Sequence, residues 1–139
     1  MEPVVLRMSI ERGDLDWEAC VRAAHHRLAR TPPFGPEGEY LSDAWSEAHR
    51  LFHRTLLEGC CNPVLLETFD RLWTASELAR RWSTHRNPSR DGISEHRRLE
   101  EAALARDADA AADALAQHLT LTAAGLTRSI HRQAPRKEA

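Results

Sequence analysis

Apolar residues recur with a helical period along almost the whole chain. A short helix over Val4–Glu11 is ended by Gly13. A second begins behind Asp14 or Asp16 as N-cap and runs to about Arg30, with Trp17, Val21, Ala24 and Leu28 on one face. The third starts behind Ser42 or Asp43 and runs to about Glu58, striped by Trp45, Ala48, Phe52 and Leu56 and closed by Gly59. Asn62 as N-cap and Pro63 at the first helical position open a fourth, expected to carry Leu65, Phe69, Leu72, Trp73 and Ser76 inward and to end near Ser83. The fifth runs from about Arg90 to Ala105, with Ser94, Leu99, Ala102 and Ala103 for packing. Asp107 caps a sixth that reaches Ile130.

Proline and glycine cluster in TPPFGPEGE (31–39) and RNPSRDG (86–92), which read as the main breaks. No window alternates apolar and polar residues in the manner of a strand. The pattern predicts an all-α, antiparallel bundle of about six helices over 1–131, followed by a polar tail, RQAPRKEA, at 132–139. The tryptophans at 17, 45, 73 and 82 are expected to anchor its core.

Composition narrows the class. At 139 residues the chain suits one core, and a formal net charge of −2 gives no basic field to hold nucleic acid. No apolar run approaches the ~20 residues that cross a bilayer, and MEPVVLRMSIERGD lacks the apolar block of a secretory signal. Cys20, Cys60 and Cys61 form no framework, so reduced, buried thiols in a cytoplasmic protein are expected.

Histidine supplies the candidate chemistry. HRLFH, 49–53, puts His49 and His53 on one helix face, offset by about 40°. The zinc-protease motif HExxH needs a glutamate after the first histidine, and Arg50 cannot act as that base. His96 lies 11 residues before Asp107 and His118 lies 11 after it, so both stand at one height on an antiparallel pair. Each alone is more often a satisfied, partly buried side chain, but together they make the set of a bundle-interior metal site for Zn, Ni, Cu or Fe, with Zn or Ni foremost. His25, His26, His85 and His131 share no such geometry, although His25 or His26 could line a pocket. Glu95 and Glu100 are candidates to accept an imidazole N–H, and Arg80 or Arg81 to grip a carboxylate. A metalloenzyme using the same histidines is the alternative. Against it, no glutamate or aspartate is positioned as a base, and no Glu-x-x-His pair of the di-iron kind occurs near His49 or His53.

Three stretches, HRLFHRTLLEGCCNPVLL (49–66), SELARRW (76–82) and SEHRRLEEAALARDADAAADALAQHL (94–119), resemble the FCD domain, the C-terminal ligand-sensing domain of GntR-type bacterial transcription regulators. The segment 6–32 is similar to the branch related to repressors of short dicarboxylate metabolism. The resemblance implies a cytoplasmic, homodimeric regulator that binds a small carboxylate effector and is not an enzyme. It implies that His53, His96 and His118 are metal ligands. The family's fourth ligand is an aspartate four residues before the first histidine, and His49 stands there. Either His49 replaces it as a neutral ligand, or it swings aside and water or the effector fills the gap. The family also carries an effector-holding arginine on its first helix and a winged helix-turn-helix ahead of this domain. The chain is expected to contain neither, so that DNA is bound only through a domain outside it.

Overall fold

In a computed structural model, residues 1–38, 41–86 and 90–133 are described; side chains at 82–86, 126 and 128–133 are not. The described residues form seven helices in order: α1 (Glu2–Arg12), α2 (Leu15–Arg30), α3 (Asp43–Glu58), α4 (Pro63–Ala75), α5 (Glu77–Arg86), α6 (Gly92–Leu104) and α7 (Ala108–Gln133). Among the described residues there is no strand, only an isolated bridge between Phe34 and Leu41. No described helix is long and apolar enough to cross a membrane.

Local chemistry sets the ends. The Asp14 side chain accepts from Trp17 N–H, Ser42 from Trp45 N–H, and Asn62 from the N–H groups of Val64 and Leu65, which satisfies donors the helix leaves orphaned. Asp91 caps α6 through Ser94 N–H, so that helix starts later than Arg90. Asp107 accepts from Ala110 N–H at the start of α7. The first helix starts earlier than Val4, because Pro3 fits a first turn whose N–H groups have no partner anyway. The expected tail begins inside α7, and 134–139 lie outside the described residues.

The expected fourth helix is two. Ser76 ends α4, its hydroxyl donating back to the Leu72 carbonyl at 2.7 Å, a bond that competes with regular helix geometry and bends it. Phe69 and Trp73 take the inward face at a four-residue step. Leu72, one position away, is 52% exposed and Ser76 is exposed, contrary to expectation. Ser94 is also exposed, because it is held by its cap Asp91.

α1 packs on α7 and α3, α2 on α3 and α6, and α5 and α6 both lie along α7. Leu6, Val21, Phe52, Leu56, Phe69, Leu99 and Leu115 fill the centre, each side chain worth about 1.5–3 kcal/mol when removed from water. Trp17 and Trp73 are buried, Trp45 is half-buried, and the Trp82 side chain lies outside the described residues. Of the cysteines only Cys60 is buried; Cys20 and Cys61 are exposed. Gly59 is required by close approach: a Cβ there would fall 2.5 Å from the Ser9 carbonyl oxygen of α1. This fixes α1 against the end of α3 and so places Glu2 beside the histidines.

Candidate metal centre

The middle of α3 turns His49 and His53 inward, α6 contributes His96 and α7 contributes His118. All four are buried, at 8%, 2%, 5% and 6% exposure. One ligand atom from each lies within 4.8 Å of all the others. The equal heights expected for His96 and His118 are realised, with ring centroids 4.7 Å apart. His49 does not swing away. Stacked on Trp45 at 4.6 Å, it brings its Nε2 to 3.0 Å from Nε2 of His96.

The set could hold a divalent ion. At metal–nitrogen bonds of about 2.0–2.1 Å, neighbouring nitrogens of a tetrahedral site stand about 3.3 Å apart, close to the His49–His96 separation. Nε2 of His53 is buried without a hydrogen-bond partner, a state that costs about 1–3 kcal/mol and that a cation would relieve. Burial above all, then repulsion among the rings, holds His49 and His53 well below the ordinary imidazole range. Burial does the same for His96. These three rings are therefore neutral near pH 7, with lone pairs available for coordination.

An outer layer orients His118. Its Nδ1–H donates to Glu95 Oε2 at 2.6 Å, which leaves Nε2 for a metal. Burial opposes ionisation of Glu95, but hydrogen bonds from Arg90 and His118 outweigh it and bring the carboxyl down to about 2. Arg90 grips Glu95 through Nε and Nη2 at 2.8 and 2.6 Å, donates to the His118 carbonyl at 2.8 Å, and reaches Thr122 Oγ1 at 2.8 Å. Glu95 thus serves His118, not its neighbour His96, since successive residues on a helix point about 100° apart. Glu100 binds Nδ1 of His25 at 2.6 Å, a pair buried between α2 and α6. His25 is therefore a packed core histidine beside Phe52 and His26 is exposed, while the side chains of His85 and His131 lie outside the described residues.

A cavity of about 300 Å³ opens beside the histidines, walled by Trp45, Trp73, Arg80, Arg90, Thr122 and Glu2 among others. Arg80 lies with its guanidinium 3.6 Å over the Trp73 ring and donates to the Trp73 carbonyl and Ser76 Oγ at the helix break. Burial lowers it to about 10 against the pull of Glu77 and Glu2, so it remains a cation. Arg81 does not line the cavity; its guanidinium pairs outside it with Asp43 at 3.0 Å and Glu77 at 3.2 Å.

Sequence reasoning missed Arg90 and Glu2. Arg90 sits just before the cap of the helix that bears His96, a position that reads as loop. Glu2 lies ahead of the expected first helix, yet it lines the cavity with Oε2 buried and unpartnered, 3.9 Å from Nδ1 of His53. Glu2 therefore adds an acidic residue to the cavity wall, where none had been assigned, while Glu95 stands behind His118.

The FCD domain family model matches residues 1–121. The HTH-type transcriptional repressor GlaR of Escherichia coli (strain K12) is 31% identical over 124 residues, covering 86% of this chain and 56% of the relative. An uncharacterized HTH-type transcriptional regulator, BphR of Paraburkholderia xenovorans (strain LB400), is 33% identical over 124 residues, covering 86% of this chain and 49% of the relative. The chain thus spans about half the length of the curated relatives it matches. No solved structure is matched. With this match across most of its length and a helical bundle closing on four histidines, the chain belongs to the FCD domain family, the effector-binding part of GntR-type transcription regulators.

Proposed function

We propose that this domain holds a divalent metal, Zn or Ni foremost, on His49, His53, His96 and His118, and that a small carboxylate effector binds beside it. The supporting observation is the convergence of four buried imidazoles on a walled cavity that also contains a cation, Arg80. When bound, the metal supplies a full +2 charge and Lewis-acid coordination for an anionic oxygen, because all four donors are neutral. The chain's own residues do the rest. Arg90 and Glu95 fix the tautomer of His118, and Trp45 stacks on His49 and limits its rotation. Trp73 carries Arg80 at the far side, where its guanidinium pairs with the second acidic end of a C4–C6 hydroxy acid or dicarboxylate.

Occupancy of the cavity ties together α1, α3, α4, α5, α6 and α7, whose residues wall it. A ligand that prefers one arrangement of these helices shifts the balance between two states of a homodimeric, cytoplasmic regulator. Its DNA is bound by a domain outside this chain. The domain is not an enzyme in this reading. The test is thermal unfolding of tag-free, metal-loaded protein against a panel of carboxylates, with product analysis of the same mixtures. Stabilisation that requires both metal and a carboxylate, without turnover, is expected. Turnover of a carboxylate would favour the enzyme reading, and absence of any metal-dependent shift would remove the site.

A further inference from the structure

His118 shows how this fold orients a ligand: a glutamate, Glu95, takes the proton of the ring nitrogen turned away from the cluster. His53 has a glutamate in the equivalent place. Glu2, at the first turn of α1, lines the cavity, and its Oε2 lies 3.9 Å from His53 Nδ1. Two buried polar atoms in this corner lack any hydrogen-bond partner, Oε2 of Glu2 and Nε2 of His53. They lie on opposite sides of the demands of one ring. A cation at Nε2 leaves the proton on Nδ1, and that N–H then has one carboxylate within reach. Closing 3.9 Å to a hydrogen bond of about 2.8 Å takes a shift of about 1 Å, within the range of a three-torsion side chain.

We infer that Glu2 is the positioning residue for His53, accepting its Nδ1–H and presenting Nε2 to the metal. The inference rests on the metal reading above and adds an anionic group to a donor set that has none. Glu2 also restores the negative charge that an aspartate in place of His49 would have brought, but from the outer layer and on a different helix. The unpartnered carboxylate is a burden in the metal-free protein and acquires its partner on loading, so its removal acts in opposite directions on the two states. A merely structural glutamate would move both in the same direction.

The test compares the parent chain with Glu2→Gln and Glu2→Leu, stripped with chelator and then titrated with Co2+ and Zn2+. Metal-free variants are expected to melt at or above the parent temperature. Their Zn2+ affinity, by chelator competition, falls about 10–100-fold in Glu2→Leu and less in Glu2→Gln, whose carbonyl oxygen still accepts. The visible Co2+ spectrum shifts as ligand basicity at His53 drops. Parent-like affinity and spectrum in Glu2→Leu overturn the inference and leave the four-histidine site standing. Failure of the parent itself to bind either ion overturns both. A metal-free melting temperature that drops together with affinity assigns Glu2 to packing alone and also overturns the inference.

Discussion

Acidifying the metal-free protein should destabilise it steeply, and the size of the loss follows from burial of the histidines. His49, His53 and His96 are held well below the ordinary imidazole range when folded, chiefly because burial penalises the charged ring. Within that range the unfolded chain takes up protons that the folded chain refuses, so stability falls as pH falls. For one such histidine the loss between about pH 7 and about pH 5.5 is on the order of 1 kcal/mol, and for three it reaches at most about 4 kcal/mol. Glu2 acts in the opposite sense, since burial raises its carboxyl and the folded state binds its proton first, but it can offset only one group's share. Glu95, held at about 2, titrates below this window when folded and near 4.5 when unfolded. Against a typical domain stability of about 5–15 kcal/mol the total is large. Urea denaturation of chelator-stripped protein across this pH range should show it, with His49→Gln removing roughly a third of the slope. A free energy of unfolding that stays flat from about pH 7 to about pH 5.5 would falsify the picture of neutral, water-excluded imidazoles.

Other outcomes follow from the same geometry. Glu95→Gln, which loses the charge that holds the His118 proton, should weaken Zn2+ binding about 10–100-fold, measured by chelator competition. Arg80→Gln should leave metal affinity within about threefold but weaken a dicarboxylate about 10–100-fold by calorimetry, the worth of one charged hydrogen-bonding partner. Equal loss of both would place Arg80 in the scaffold instead. Gly59→Ala should cost about 1–3 kcal/mol in urea denaturation, because its Cβ would meet backbone, which cannot turn away as a side chain can.

Helical periodicity and capping residues made the bundle legible, since Asp14, Ser42, Asn62 and Asp107 each cap the helix expected of them. The break at Ser76 was not, because a single serine hydroxyl bonding back to Leu72 leaves no trace in the apolar pattern. The histidines could be paired from spacing, since a four-residue step fixes a helix face and equal distances from a turn fix a height; the expected bundle and the family resemblance joined the two pairs. Partners across helices were harder. Nothing in a linear pattern says that Glu95 faces α7 while Glu100 faces α2, or that the arginine before a helix cap folds over it as Arg90 does. Of the two arginines proposed for the effector, neighbours on one helix, only Arg80 could face the cavity once Arg81 was committed to Asp43.

The most direct trial of the account is the metal content and coordination of tag-free protein, by elemental analysis combined with X-ray absorption at the metal edge. One divalent ion per chain, with a first shell dominated by imidazole nitrogen and lost in the His53→Ala, His96→Ala double variant, is the expected result. Less than near-stoichiometric metal after incubation with Zn2+ or Ni2+, or a shell without several imidazoles, would contradict it.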